Sequence, residues 1–79
     1  MYHLYILECA DKTLYTGITT DLERRVYEHN MAKIGAKYTR TRRPVVLIYS
    51  KKFRTRSLAL KAEYKIKQMT RVEKLELIK

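Results

Sequence analysis

Five residues of this 79-residue chain sit oddly for plain packing: Tyr5, Tyr15, Arg25, His29 and Glu63. Arg25 and His29 are four apart, so on a helix their side chains share one face. At ~100° per residue that face also carries Leu22 and Val26, leaving it apolar on one side and Arg-His on the other, with Arg24 turned to solvent. Two accounts fit. Arg25 lays its stem on a sheet while His29 enjoys a helix end, or both groups are aimed into a site. Glu63 is the one acid between Glu28 and Glu73 and falls on the border of an apolar helical stripe. A buried lone carboxylate must pair or hold a metal, and nearby cations offer the simpler partner. Tyr5 and Tyr15 lie ten residues apart on adjoining segments. Strand aromatics chiefly pack, yet buried hydroxyls need partners.

The charge gives these groups a context. Eighteen Lys and Arg against eight Asp and Glu leave +10, a field that attracts nucleic acid first and an anionic membrane second. Ten cations and no acid lie in the 34 residues between Glu28 and Glu63. A merely soluble face would mix both signs, so the block reads as a phosphate-contacting surface. Its candidate contacts are Lys37, Tyr38, Arg40, Arg42, Arg43, Lys51, Lys52, Arg54 and Arg56. Tyr38 either stacks on an unpaired base or packs over its own loop. Such contacts position a nucleic acid without specifying its sequence.

The elements that would position these residues follow from pattern. Residues 2–9 and 13–18 read as strands joined by the turn Ala10-Asp11-Lys12-Thr13. Thr20 and Glu23 have capping-box spacing, so a helix is expected from about 21 to 32, with Gly35 as its stop. Residues 33–43 form a basic loop or short turn. Pro44 starts a third strand, and the apolar run Val45–Tyr49 predicts cover on both its faces. A helix over about 55–68 places Leu58, Ala62, Ile66 and Met69 in one stripe. Thr70 and Glu73 form a second capping box that opens a last helix. The class is α+β: one domain over 1–79, a small sheet with helices on it in the order β-β-α-β-α-α.

Several classes fall away. The apolar runs are far short of the ~20 residues of a membrane span, and the N-terminus lacks a signal-peptide pattern. Cys9 is the single cysteine, so neither an internal disulfide nor a cysteine zinc site is expected; it reads as a small buried hydrophobe at a strand end. A cytoplasmic monomer is the default expectation.

His3-Leu4-Tyr5, Tyr15-Thr16-Gly17, Arg25, His29-Asn30 and Glu63 together resemble the GIY-YIG nuclease superfamily. The likeness covers about residues 2–78 and is nearest its small stand-alone bacterial members, the YhbQ-like group. The chain is also similar to the catalytic subunit of endonucleases acting on branched DNA, through Gly35–Arg40 and Arg43-Pro44. The first triplet keeps only its tyrosine, and no lysine follows the second. The resemblance implies a three-stranded antiparallel sheet flanked by helices, with the site on one sheet face. It implies a DNA endonuclease, with branched or single-stranded DNA as substrate and RNA as the alternative. By the same likeness Glu63 would hold one divalent metal, Mg²⁺ or Mn²⁺, and Arg25 would pair with the scissile phosphate. Tyr5 or Tyr15 would activate water, with His29 as a relay titrating near neutrality. Two competing readings stand beside it: a catalytically weak nucleic-acid-binding module, and a subunit needing a protein partner for specificity.

Overall fold

The structure is a computed structural model that describes residues 1–31 and 42–78. Gly35 as a helix stop, and Lys37, Tyr38 and Arg40 as nucleic-acid contacts, lie outside the described residues. The elements are β1 (Tyr2–Glu8), β2 (Leu14–Thr19), α1 (Leu22–Met31), β3 (Val46–Phe53), α2 (Arg56–Lys67) and α3 (Arg71–Ile78). The sheet order is β2-β1-β3, both pairings antiparallel, which is the expected three-stranded α+β arrangement.

The central place of β1 explains its composition. Leu4, Tyr5, Ile6 and Leu7 are all buried in succession, because neighbours flank the strand and helices cover both its faces. Alternation then sorts the side chains. Tyr5 and Leu7, with Cys9, pack with Tyr15, Val45 and the α1 residues Leu22 and Val26. Leu4 and Ile6 pack on the opposite face with Ile66, Met69 and Ile78. Each such aliphatic side chain contributes about 1.5–3 kcal/mol through burial. Thr16 also lies on this second face, beside Ile6, with its Oγ1 buried and unpaired.

Three expectations require correction. The third strand begins at Val46, not Pro44, and Val46 and Leu47 are 57% and 36% exposed. Because β3 is an edge strand, its start escapes the cover that a central strand would have. The cap of α1 is Asp21, whose Oδ1 accepts from the Arg24 amide at 3.1 Å while Thr19 Oγ1 accepts from the Asp21 amide. The stronger capping residue therefore displaces the Thr20 box by one position. On α2 the inward residues are Ala59 and Ile66, whereas Leu58 is 48% exposed. The buried stripe is rotated away from Leu58 and toward Glu63, four residues beyond Ala59.

The last box does form: Glu73 accepts from the Thr70 amide at 2.9 Å, and Thr70 Oγ1 from the Glu73 amide at 3.2 Å. The segment entering β3 is tied to α1 by side chains. Asn30 takes both backbone groups of Val45, accepting from its amide at 2.7 Å and donating to its carbonyl at 3.0 Å. Arg43 donates to the carbonyls of Glu28 and His29 near the end of α1, where a cation also meets the negative helix end.

Candidate active site

The site grows from the β1–β2 pairing. Tyr5 and Gly17 are cross-strand partners, and the Tyr5 ring lies over the space that a Gly17 side chain would fill. A Cβ at Gly17 would stand 2.5 Å from Tyr5 Oη and 2.7 Å from Cζ. The φ of Gly17 is not positive, so room rather than backbone freedom calls for this glycine.

Tyr5 is 1% exposed, and its hydroxyl lies 2.9 Å from Nε2 of His29, which is fully buried. Tyr15 closes a triangle of rings, with its centroid 5.2 Å from His29 and 6.4 Å from Tyr5. Arg25 donates through Nη1 to Glu28 Oε1 at 3.0 Å, and Arg24 takes the other Glu28 oxygen at 3.1 Å. Arg24 is 72% exposed and Arg25 only 27%, as the helical wheel predicts. Glu63, 18% exposed at its side chain, approaches Lys67 at 3.6 Å and is near enough to act electrostatically on Tyr5. Tyr5, Tyr15, Arg25 and His29 therefore come together, whereas Glu63 belongs to α2, which packs on the other sheet face, and reaches Tyr5 through its charge.

Burial pushes the Tyr5 phenol up to about 12, against the opposing pull of the Arg25 guanidinium. Burial, helped by the charges of Arg25 and Arg43, pulls His29 down from 6.5 to about 4. A relay titrating near neutrality is thus not what His29 is in the free protein: it is neutral throughout the physiological range. Between about pH 6.5 and 4 the unfolded chain takes up a proton that the folded chain refuses. The stability contributed by neutral His29 is full above that window and is lost as pH falls through it, by about 3 kcal/mol in all. Denaturant unfolding at several pH values across the window is expected to show this loss in the wild type and a smaller one in His29→Gln; equal losses would exclude the assignment.

Glu63 also bears on metal binding. Among the described residues no group of three or more His, Cys, Asp and Glu side chains comes together. A hard divalent cation keeps much of its water and takes further oxygens from a phosphate, so one carboxylate is a sufficient protein share. Glu63 suits this role, since its partner Lys67 is half-exposed and such pairs are weak. The donor set fits Mg²⁺ or Mn²⁺.

The described cations of the basic block do not share one surface. Lys52 pairs across from His3 and Lys51 across from Leu4, so the two lysines point to opposite sheet faces. Lys51 lies 5.6 Å from the centroid of Phe53. Arg42 pairs with Asp11 at 3.0 Å, and Arg43 is engaged with α1. Arg54 and Arg56 are exposed at the start of α2. Glu28 and the cross-strand need for Gly17 escaped the sequence reading. The first was signalled by its spacing of three and four residues from Arg25 and Arg24; the second required the strand register.

Two strands presenting Tyr5 and Tyr15, followed by a helix presenting Arg25 and His29, define a small α+β domain with the layout of a catalytic one. The GIY-YIG catalytic domain model matches residues 1–76, and the chain belongs to this family of nucleases. A UPF0213 protein of Syntrophus aciditrophicus is 56% identical over 77 residues, covering 98% of this chain and 88% of that one. One from Halobacterium salinarum is 54% identical over 94% of this chain and 95% of its own. The solution structure of a UPF0213 protein from Bacillus halodurans superposes with a TM-score of 0.64 at 42% identity, over 99% and 83% of the two chains. That of a protein from E. faecalis gives 0.68 at 47% identity, over 98% and 81%.

Proposed function

We propose that the protein is a metal-dependent endonuclease hydrolysing DNA phosphodiester bonds, with branched or single-stranded DNA as substrate. The observation that supports this most is the hydrogen-bonded Tyr5–His29 pair, with Arg25 beside it and Glu63 within electrostatic reach. Arg25 keeps guanidinium donors beyond the one given to Glu28 and pairs with the scissile phosphate. Tyr15 orients that phosphate. Tyr5, whose proton is held tightly, donates it to Nε2 of His29 as its oxygen takes a proton from the attacking water. This direction requires the Nδ1–H tautomer of neutral His29. A bound phosphate anion offsets the charge of Arg25 and so makes His29 a better acceptor. Glu63 would hold a divalent cation, which would supply charge stabilisation for the leaving oxygen.

A second reading, a binding module that cuts poorly, draws on the same pair, since neither Tyr5 nor His29 is poised near pH 7. Purified protein incubated with labelled duplex, single-stranded, flap and four-way-junction DNA under Mg²⁺, Mn²⁺ or EDTA separates the two. Cutting that requires metal supports the nuclease; salt-sensitive binding without cutting supports the module. In the same assay Arg25→Ala is expected to lose about 100-fold or more, the scale of a lost transition-state donor, and Arg24→Ala only a few-fold. Equal losses would contradict the inward placement of Arg25.

A further inference from the structure

The helix that carries Glu63 toward the site carries something else on its outer surface. Leu60 and Tyr64 are one turn apart and stand 40% and 68% exposed. They line an open groove with Arg56, Ser57, Lys61 and Lys65. The lining thus holds three cations, no acid and one open aromatic face. At ~100° per residue the lining centres on the outer face of α2, opposite Ala59 and Ile66, and Glu63 lies about a third of a turn round the helix from it.

We propose that this groove binds a single nucleic-acid strand, with a base stacked on Tyr64 and its phosphates on Arg56, Lys61 and Lys65. The proposal deepens the nuclease reading and rests on it for the direction of the strand toward Glu63. A polyanion satisfies the cations. An unpaired base satisfies the ring, whereas duplex bases are already stacked on one another and cannot reach it. The groove would therefore favour the unpaired arm of a branched substrate.

Fluorescence anisotropy in EDTA, where metal-dependent cutting is absent, tests the groove apart from catalysis. The probes are a labelled oligothymidylate and a hairpin duplex of equal length. Tyr64→Ala is expected to weaken single-strand binding by about 5- to 150-fold, the range for one lost stacking contact, and to leave duplex binding within about two-fold. Tyr64→Phe keeps the ring and should restore the wild-type value. Tyr64 is largely exposed, so the variants should fold, which a thermal melt checks. No loss in Tyr64→Ala, or an equal loss on both probes, overturns the proposal. Displacement of the oligothymidylate by polyglutamate at matched charge overturns it in favour of an acidic protein. A Tyr64 effect in a protein that never cleaves would leave the groove standing and remove the nuclease reading. Cleavage with no Tyr64 effect would do the reverse.

Discussion

Gly17→Ala is expected to leave a folded protein that has lost cleavage by about 100-fold or more. The added methyl would meet Tyr5 Oη at 2.5 Å and Cζ at 2.7 Å, separations that no ordinary carbon contact reaches. Tyr5 has nowhere to go: its ring is 1% exposed, sits in the central strand and is held to His29 at 2.9 Å. The strain must either push the ring off Nε2 or part β1 from β2. Overpacking of this kind costs about 1–3 kcal/mol, enough to lower a melting temperature without unfolding the chain. A displacement of about 1 Å at a reacting group is enough for a loss near 100-fold. The check is a thermal melt beside the cleavage assay. Activity within a few-fold of wild type in a folded Gly17→Ala protein would show that the placement of the Tyr5 hydroxyl does not matter to the chemistry.

Glu63→Gln is expected to remove cleavage by about 10³-fold or more while folding and DNA binding persist. The substitution keeps size and removes the charge that would hold a divalent cation, whose stabilisation of the transition state is worth several kcal/mol. The fold loses little, because among the described residues Glu63 pairs with half-exposed Lys67, an ion pair worth about 0–1 kcal/mol. Binding in EDTA should be unchanged or tighter, since a negative charge has left a surface that meets phosphates. Melting, anisotropy and cleavage on one preparation separate these effects. Cutting by Glu63→Gln within about ten-fold of wild type would take Glu63 out of the mechanism.

Short-range geometry is legible in the sequence, the Thr20 box excepted, whose cap Asp21 takes one position on. The Thr70–Glu73 box, the hairpin and the inward turn of Arg25 against Arg24 all depend on residues a few positions apart. Failures came where a distant neighbour decides. Val46 and Leu47 look like buried-strand residues, yet their strand lies at a sheet edge, and edge or centre is a property of topology. Leu58 belongs to an apolar repeat as good as that of Ala59, and only the sheet beneath α2 chooses between them. Arg43 reads as one cation among ten; its engagement with the last carbonyls of α1 depends on where the chain returns. Burial likewise decides the protonation of His29, and side-chain chemistry alone points to a different answer.

The placement of Tyr5 in the middle strand has a consequence for how this protein can lose or vary its function. Many sites rest on loops that open while the scaffold stays intact. Here the Tyr5 hydroxyl, to which the proposed mechanism gives the proton transfer, is anchored in the central strand, and core strands are the elements whose opening costs most. Loop breathing does not disarm such a site, and its thermal inactivation is expected to track global unfolding. Evolutionary drift meets the same constraint: a substitution that loosens the β1 layer is felt as lost stability and lost chemistry together, which leaves new specificities to arise on the outer helix surfaces.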